Sequence, residues 1–565
     1  MSEETYNNHE VAEDGSNEVK VSGHAPKWEP NRPPRKVRSK KALDQKKMAH
    51  LVESDDRIYK GELDDRRRDP DRQPRSVSRS EQKVRDKAAK LAEGDPVVEA
   101  MVAKRKITDF RAEYEHCQAS PGRLGALYAT QQVRRRKAFA QEVIEATIDR
   151  STLDKQDRAF ATLLTLGVVS TSGALDEVIN RCLASPRDIK PDVRDALRIS
   201  TYEIIYLRKS PHAAVDQGVE LVRAVAPSAS GLGNAVLHRI LKCADAFPFG
   251  DPAKNLEALA LTYAFPVWLT RRLIEDMGAA DAVKLMAASN EPAPLFVHVN
   301  SLKATDEEIV DAFDEVGATL EPASAGGIDV AGCYRVSNSR ALADGRIRRL
   351  FQQGKILVSD AAAQAVASCV SNLQGVESLL EVGAGRGTKT IMLQSGRMRS
   401  TGKQFDLTSM DSHSFKSNLL EQRAEDYGIQ LNNVVTGNAT RLDSVLPGKT
   451  FDAVFIDAPC SGLGTLRRHH EIRWRLSEER IDEMAKTGYD LLTSAAGHVN
   501  PGGFIVYATC TVTYAENYGV VKSFLESEVG SDFKLAPVND KSCFASVLEP
   551  GSPDAHFAAC FTRVR

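Results

Sequence analysis

The chain has 565 residues, nine cysteines and a formal net charge of −2. That length exceeds one compact domain and predicts three or four units. Cysteines scattered without a C-x-x-C pair argue against a disulfide scaffold or a zinc cluster, so no metal site is expected. A polar, acidic N-terminus and the lack of a run of about 18 apolar residues point away from a signal peptide or membrane span; a soluble, cytoplasmic monomer is expected.

Residues 1–122 read as a disordered, charged tail, because too few apolar side chains are present to offset chain entropy. Residues 1–19 carry six acids and no Lys or Arg, whereas residues 27–90 carry 21 Lys/Arg against 12 Asp/Glu. Such a basic stretch can gather phosphates by counterion release, or simply keep the chain solvated. Partial helix is expected over Ser80–Lys104.

Residues 123–250 turn to helical periodicity. Phe139, Val143, Ile144 and Ile148 recur at helix spacing, as do Phe160, Leu163, Leu164 and Val168. Pro191 and Pro211 sit where helices start or stop. The reading is an all-α bundle of five to seven helices. Residues 251–354 mix helical patterns with the alternating Leu295–Asn300 and Val330–Val336, and predict a small α+β linker subdomain against the catalytic unit. Residues 355–565 alternate apolar runs with helical segments. Ser378–Val382, Phe405–Met410, Asn433–Thr436, Ala453–Ile456 and Phe504–Ala508 read as strands of an open, mostly parallel, Rossmann-like α/β sheet.

The first of these strands runs into Gly383-Ala384-Gly385-Arg386-Gly387-Thr388-Lys389. Glycines permit a tight turn and close backbone approach to a ligand, and a helix N-terminus adds donors and positive partial charge. The turn alone is a weak signal and does not match a P-loop. Its context is stronger. Asp411 closes the next strand and can accept both ribose hydroxyls of an adenosine ligand. Asn438 follows the third strand and can bond an adenine edge. Asp457 ends the fourth. All three fall where the crevice of a doubly wound sheet opens, which predicts an adenosyl or dinucleotide cofactor.

Cys460, in Asp457-Ala-Pro-Cys-Ser-Gly, and Cys510, in Tyr507-Ala-Thr-Cys-Thr, each follow a strand at that same edge. A core cysteine needs neither Pro459 nor Thr509 before it. Cys117, Cys182, Cys243, Cys333, Cys369, Cys543 and Cys560 read as packing or surface thiols. Two thiols beside an adenosyl cofactor suit methylation of carbon 5 of cytosine. A thiolate adding at carbon 6 makes carbon 5 nucleophilic, and a second can assist loss of the carbon 5 proton. A protonated Asp457 could hydrogen-bond ring N3, and the base must first leave its stack.

These motifs, with Leu466-Arg467-Arg468-His469, Ile472-Arg473-Trp474 and Glu516-Asn517, resemble the Sun-type RNA cytosine-5 methyltransferases over residues 125–565. The resemblance implies S-adenosylmethionine as cofactor, Cys510 as nucleophile and Cys460 as the thiol that helps release product. It sets Lys389 against the cofactor carboxylate or the target base. The family loop usually reads Ala-Ala-Pro-Gly-Gly-Lys-Thr, so Arg386 and Thr388 are departures, as are Asn438 and Glu381 where the family carries Asp. Phe351-x-x-Gly354 and Asp360-x-x-x-Gln364 are similar to the family's segment before the cofactor loop, and the resemblance adds an RNA-binding role to the linker subdomain. The helical unit resembles NusB, an RNA-binding bundle, through Asp157-Arg-Ala-Phe160, Tyr202–Tyr206, Ala214–Gln217 and Asn234–Leu237. Small-subunit (16S) ribosomal RNA is therefore the expected substrate. Transfer RNA, or a decayed RNA-binding assembly factor, are the alternatives. Arg467, Arg468, His469, His470 and Arg473 are candidate RNA contacts.

Overall fold

The computed structural model describes residues 108–564 except Glu115, Asn539 and Asp540. The expectations for residues 1–107 lie outside the described residues. Apart from Thr108 and Arg150–Thr152, the described residues form one compact unit.

Seven helices build the N-terminal bundle: α1 (Phe110–Glu113), α2 (Pro121–Arg136), α3 (Ala140–Ala146), α4 (Lys155–Arg181), α5 (Pro191–Ile205), α6 (Pro211–Val225) and α7 (Ser230–Cys243). Proline begins α2, α5 and α6, where its missing N–H is no loss. Asp154 caps α4 by accepting the Asp157 amide at 2.8 Å. The bundle starts earlier than the sequence suggests. Phe110 is buried against the core, and α2 spans the boundary expected at residue 122. Helix α4 is long and apolar enough to cross a membrane by composition. Here its Leu164, Val168, Leu175, Val178 and Ile179 are buried in the bundle core.

Three helices follow: α8 (Leu256–Tyr263), α9 (Val267–Met277) and α10 (Ala279–Ala288). A four-stranded antiparallel sheet comes next, with β1 (Phe296–Val299), β2 (Leu320–Ala325), β3 (Ile328–Val336) and β4 (Ile356–Val358) in the order β2-β3-β1-β4. Helices α11 (Asp306–Asp314) and α12 (Gly345–Gln352) join its strands. The closing strand β4 lies beyond the boundary expected at residue 354, because Val297–Val299 pairs with Ile356–Val358.

The C-terminal region is an eight-stranded sheet. Its main path runs β10-β12-β9-β8-β5-β6-β7, with β5 (Ser378–Val382), β6 (Asp406–Asp411), β7 (Asn433–Thr436), β8 (Phe451–Asp457), β9 (Val499–Thr509), β10 (Phe533–Ala536) and β12 (Phe557–Arg563); β11 (Phe544–Ala545) pairs with β12. The five expected strands are the parallel part, β5 to β9. Strands β10 to β12 are antiparallel additions that the sequence reading does not contain. Helices α13 (Ala361–Ser371), α14 (Thr388–Thr401) and α15 (Ser414–Tyr427) precede α16 (Glu478–Ala496) and α17 (Tyr518–Leu525). Separate apolar clusters cover the two faces: Ile391, Met392 and Leu393 of α14 belong to one, Leu491 and Leu492 of α16 to the other. Chain order places β5 centrally, so the carboxyl ends of β5, β6, β8 and β9 open onto one crevice.

Candidate active site

The turn after β5 is pinned by its neighbour: the amides of Gly383 and Ala384 both donate to the Met410 carbonyl, at 2.9 and 3.0 Å. Gly383 has φ +84°, and a Cβ there would lie 2.5 Å from the Asp457 carbonyl oxygen. Glycine is therefore required where β5 and β8 open toward the ligand. Asp411, at the end of β6, accepts the Gly385 amide at 3.1 Å, the His413 amide at 3.0 Å and the Lys416 ammonium at 3.3 Å. Burial alone would raise its pKa, but these donors outweigh burial and hold it below the usual carboxylate value. The Asn438 side-chain oxygen caps a turn through the Thr440 amide at 3.0 Å, leaving its NH2 to serve a ligand.

Gly383, Gly385, Lys389, Asp411, Asn438, Asp457, Cys460 and Cys510 line one crevice of about 450 Å³, joined by Lys416, Thr487 and Leu491. No local motif marks those last three; they sit on helices α15 and α16, where periodicity reads as packing. The remaining residues of the loop stand back from the crevice wall. Ala384, Arg386, Gly387 and Thr388 shape the turn without lining the crevice. Arg386 points away to Glu142 of the bundle at 3.3 Å, and the Thr388 hydroxyl accepts from Arg423.

At the crevice floor, Lys389 Nζ donates to Asp457 Oδ2 at 2.8 Å. The hydrogen of this contact is carried by the Lys389 ammonium, and Asp457 accepts it. Cys460 and Cys510 meet with their sulfurs 3.3 Å apart, and the Cys510 amide donates to Cys460 Sγ at 3.3 Å. The Cys460 contact lowers the pKa of Cys510, burial opposes it, and the Lys389 cation reinforces it. Cys460 moves the other way: its hydrogen bond to Cys510 and its burial push it well above the ordinary thiol value. Of the two thiols, Cys510 is thus the one that ionises more readily. Below, Glu381 is buried, accepts from Thr390 and Ser409 hydroxyls at 2.8 Å each, and is raised by burial to about 7.

The arginines expected to touch RNA do something else. Arg467 is buried and donates to the Ser552 carbonyl at 2.7 Å and to Asp554 at 3.2 Å. Arg468 bridges Asp554 at 2.7 Å and Asp360 at 2.9 Å. Arg473 has 0% exposure and is surrounded by acceptors from α8 and α10 and the residues that follow them. His469 packs against Phe139 of the bundle with ring centroids 4.6 Å apart and the rings tilted by 49°. Half-buried His470 is pulled down to about 4, by burial first and by Arg473. The segment is an internal junction, not an open basic loop.

Comparison with known proteins accords with this geometry. The family description 16S rRNA methyltransferase RsmB/F matches residues 368–553, NusB family residues 122–242, and the RsmF/B-like ferredoxin-like domain residues 265–337. A putative methyltransferase of Mycobacterium tuberculosis is 31% identical over 72% of this chain and 86% of its own length. A probable ribosomal RNA small subunit methyltransferase B of Bacillus subtilis is 26% identical over 71% of this chain and 87% of its own. The crystal structure of PH0851 superposes with a TM-score of 0.64 at 22% identity, over 79% of this chain and all but 1% of that one, a likeness of fold. The crevice fits S-adenosylmethionine, the cofactor of this methyltransferase family: Asp411, with its pKa held low, offers acceptors of the kind ribose hydroxyls need, Asn438 has a free amide NH2 of the kind an adenine edge needs, and the Gly383 turn leaves the backbone open. The chain belongs to the RsmB/F family of 16S rRNA methyltransferases.

Proposed function

We propose that the protein methylates carbon 5 of a cytosine in small-subunit ribosomal RNA, with Cys510 as nucleophile and Cys460 as the thiol that releases product. The carrying observation is the contact of two thiols of opposite pKa shift beside the Lys389–Asp457 pair.

A cytosine flipped into the crevice presents carbon 6 to Cys510. The thiolate adds there, and electron density moves to ring N3, where Lys389 donates a hydrogen bond or proton. Asp457 orients Lys389 and can accept from the exocyclic amine. Carbon 5 is then nucleophilic. Bound S-adenosylmethionine supplies an electrophilic methyl group on its sulfonium. Asp411, Asn438 and the Gly383 turn hold the adenosyl end. The adduct must next lose its carbon 5 proton and expel the Cys510 thiolate. Once Cys510 is bonded to carbon 6 it no longer raises the Cys460 pKa; Cys460 then releases its own proton to water and, as the thiolate, accepts the carbon 5 proton, directly or through water.

The family model, the NusB-like bundle and the relatives' names favour ribosomal RNA over transfer RNA as substrate. The test is incubation of the purified chain with unmethylated small-subunit rRNA and methyl-labelled cofactor. Wild type should give labelled 5-methylcytosine, Cys510→Ala none, and Cys460→Ala a trapped protein–RNA adduct. Label at another atom, or undiminished product from Cys510→Ala, would falsify the proposal.

A further inference from the structure

Beneath the thiols lies a carboxylate that none of these steps uses. Glu516 is buried at 1% exposure. Its Oε1 accepts the Ser461 amide at 2.6 Å. Its Oε2 accepts the hydroxyls of Ser461 at 2.6 Å, Thr513 at 2.7 Å and Thr511 at 3.2 Å. Ser461 directly follows Cys460, and Thr511 directly follows Cys510. Those two hydroxyls also meet each other at 2.6 Å. Asn517 fixes the same segment, accepting from Thr509 Oγ1 at 2.6 Å and donating to the Thr511 carbonyl at 3.0 Å.

Hydrogen bonds to a buried carboxylate are short, directional and costly to strand. Here they do not knit the sheet core; they reach the residues next to the two thiols. We infer that Glu516 is a positioning residue that ties the loop after β8 to the loop after β9 and so holds Cys460 Sγ against Cys510 Sγ. The inference rests on the thiol roles proposed above. Cys510 continues from β9 and keeps that anchor without Glu516. The Cys460 loop loses an amide acceptor and a hydroxyl acceptor together. Release of product therefore suffers more than addition to the base.

The experiment uses the full chain and Glu516→Gln, which keeps the shape and removes the charge. One readout needs no RNA. In a glutathione redox buffer, Cys460 and Cys510 give up two protons and two electrons to one glutathione disulfide, forming a protein disulfide and two glutathione thiols. The effective concentration of the pair, read by peptide mass mapping at equilibrium, should fall at least tenfold in Glu516→Gln. The second readout is the denaturant-resistant protein–RNA adduct. It should rise at least fivefold over wild type in Glu516→Gln, and Glu516→Gln with Cys460→Ala should hold no more adduct than Cys460→Ala alone. An unchanged effective concentration, or an additive double variant, overturns the inference. Wild type without 5-methylcytosine would instead overturn the proposed function and leave the glutathione readout intact. If Glu516→Gln fails to fold, Ser461→Ala and Thr511→Val each remove one tie and keep the carboxylate. An unchanged effective concentration in both is then the refuting result.

Discussion

Replacing Arg473 with alanine should cost folding stability rather than RNA affinity. Its guanidinium donates to Asn290 Oδ1 at 2.8 Å, to the Ser289 carbonyl at 3.1 Å and to the Ala264 and Tyr263 carbonyls at 3.3 and 3.4 Å, and lies 4.3 Å from the Phe265 ring centroid. Tyr263 ends α8, and Ser289 caps the end of α10, so one cation faces two helix C-termini. Burial draws its pKa down to about 9, still charged at neutral pH. Each stranded acceptor costs about 1–3 kcal/mol, less where water enters the space left behind. Losing a desolvated charge offsets part of that sum. The partners left behind are neutral, so no buried charge is stranded, and the net is on the order of 3 kcal/mol. Urea unfolding should show the midpoint displaced accordingly at constant slope. Binding of rRNA by the folded variant should keep the wild-type salt dependence, whereas losing one phosphate contact lowers the log–log slope by about 0.7–0.9. An unchanged midpoint together with a shallower slope would refute the packing argument.

Glu381 gives a pH signature. Its folded pKa of about 7 lies above the ordinary value, so the native state holds a proton that the unfolded chain has released. Its contribution is fully present below about pH 4.5 and is lost as pH rises through 7. By linkage the loss is on the order of 3 kcal/mol. Glu381→Gln should flatten this part of the stability–pH curve, and an unaltered curve would contradict it. Lys389→Met removes a cation that favours the Cys510 thiolate, so the pKa of Cys510 rises. Alkylation of Cys510 by iodoacetamide should then need higher pH, and an unmoved profile would exclude Lys389 as its electrostatic partner. Gly173→Ala places a methyl group where the Trp474 ring packs. Overpacking there should cost about 1–3 kcal/mol and speed proteolysis at the junction, with cofactor affinity retained. A wild-type cleavage pattern would show that the contact does not hold the bundle.

What could be read from the sequence follows the range of the forces involved. Cys460, Cys510, Asp411 and Asp457 were legible because each ends an apolar run, and strand ends at one sheet edge must converge. The bundle was legible because residues such as Leu164, Val168 and Leu175 repeat at helix spacing. Arg467 and Arg473 were misread because their partners are remote in sequence: Ser552 and Asp554 for one, Ser289 and Asn290 for the other. An arginine among polar neighbours looks solvated until its acceptors are placed around it. Strands β10 to β12 escaped because their pairing partner is β9 or one another, and no short alternating run announces them. Buried Phe110, ahead of the NusB-like segment, is not legible because it stands among charged residues.

The junction also sets how the bundle stands against the two thiol loops. Between cofactor loop and bundle, the Arg386–Glu142 pair is largely exposed, with side chains 66% and 50% accessible. Such a pair contributes little in water. The stronger ties run through residues 469–475. Glu471 accepts the buried Ala140 amide at 2.7 Å, Trp474 Nε1 donates to the Ser170 carbonyl at 2.9 Å, and Arg475 donates to the Lys137 and Ala138 carbonyls at 2.9 and 2.8 Å. Arg473 anchors the same segment to α8 and α10, and Gly462 and Gly464 connect it back to the Cys460 loop. Gly464 donates its amide to the Cys510 carbonyl at 2.9 Å. One stretch of chain therefore fastens the bundle, the linker helices and both thiol loops together. Under the proposed mechanism, the elements around the two thiols must hold their geometry to within about half an ångström. The basic residues inside that junction fix where the NusB-like bundle stands relative to the two thiol loops.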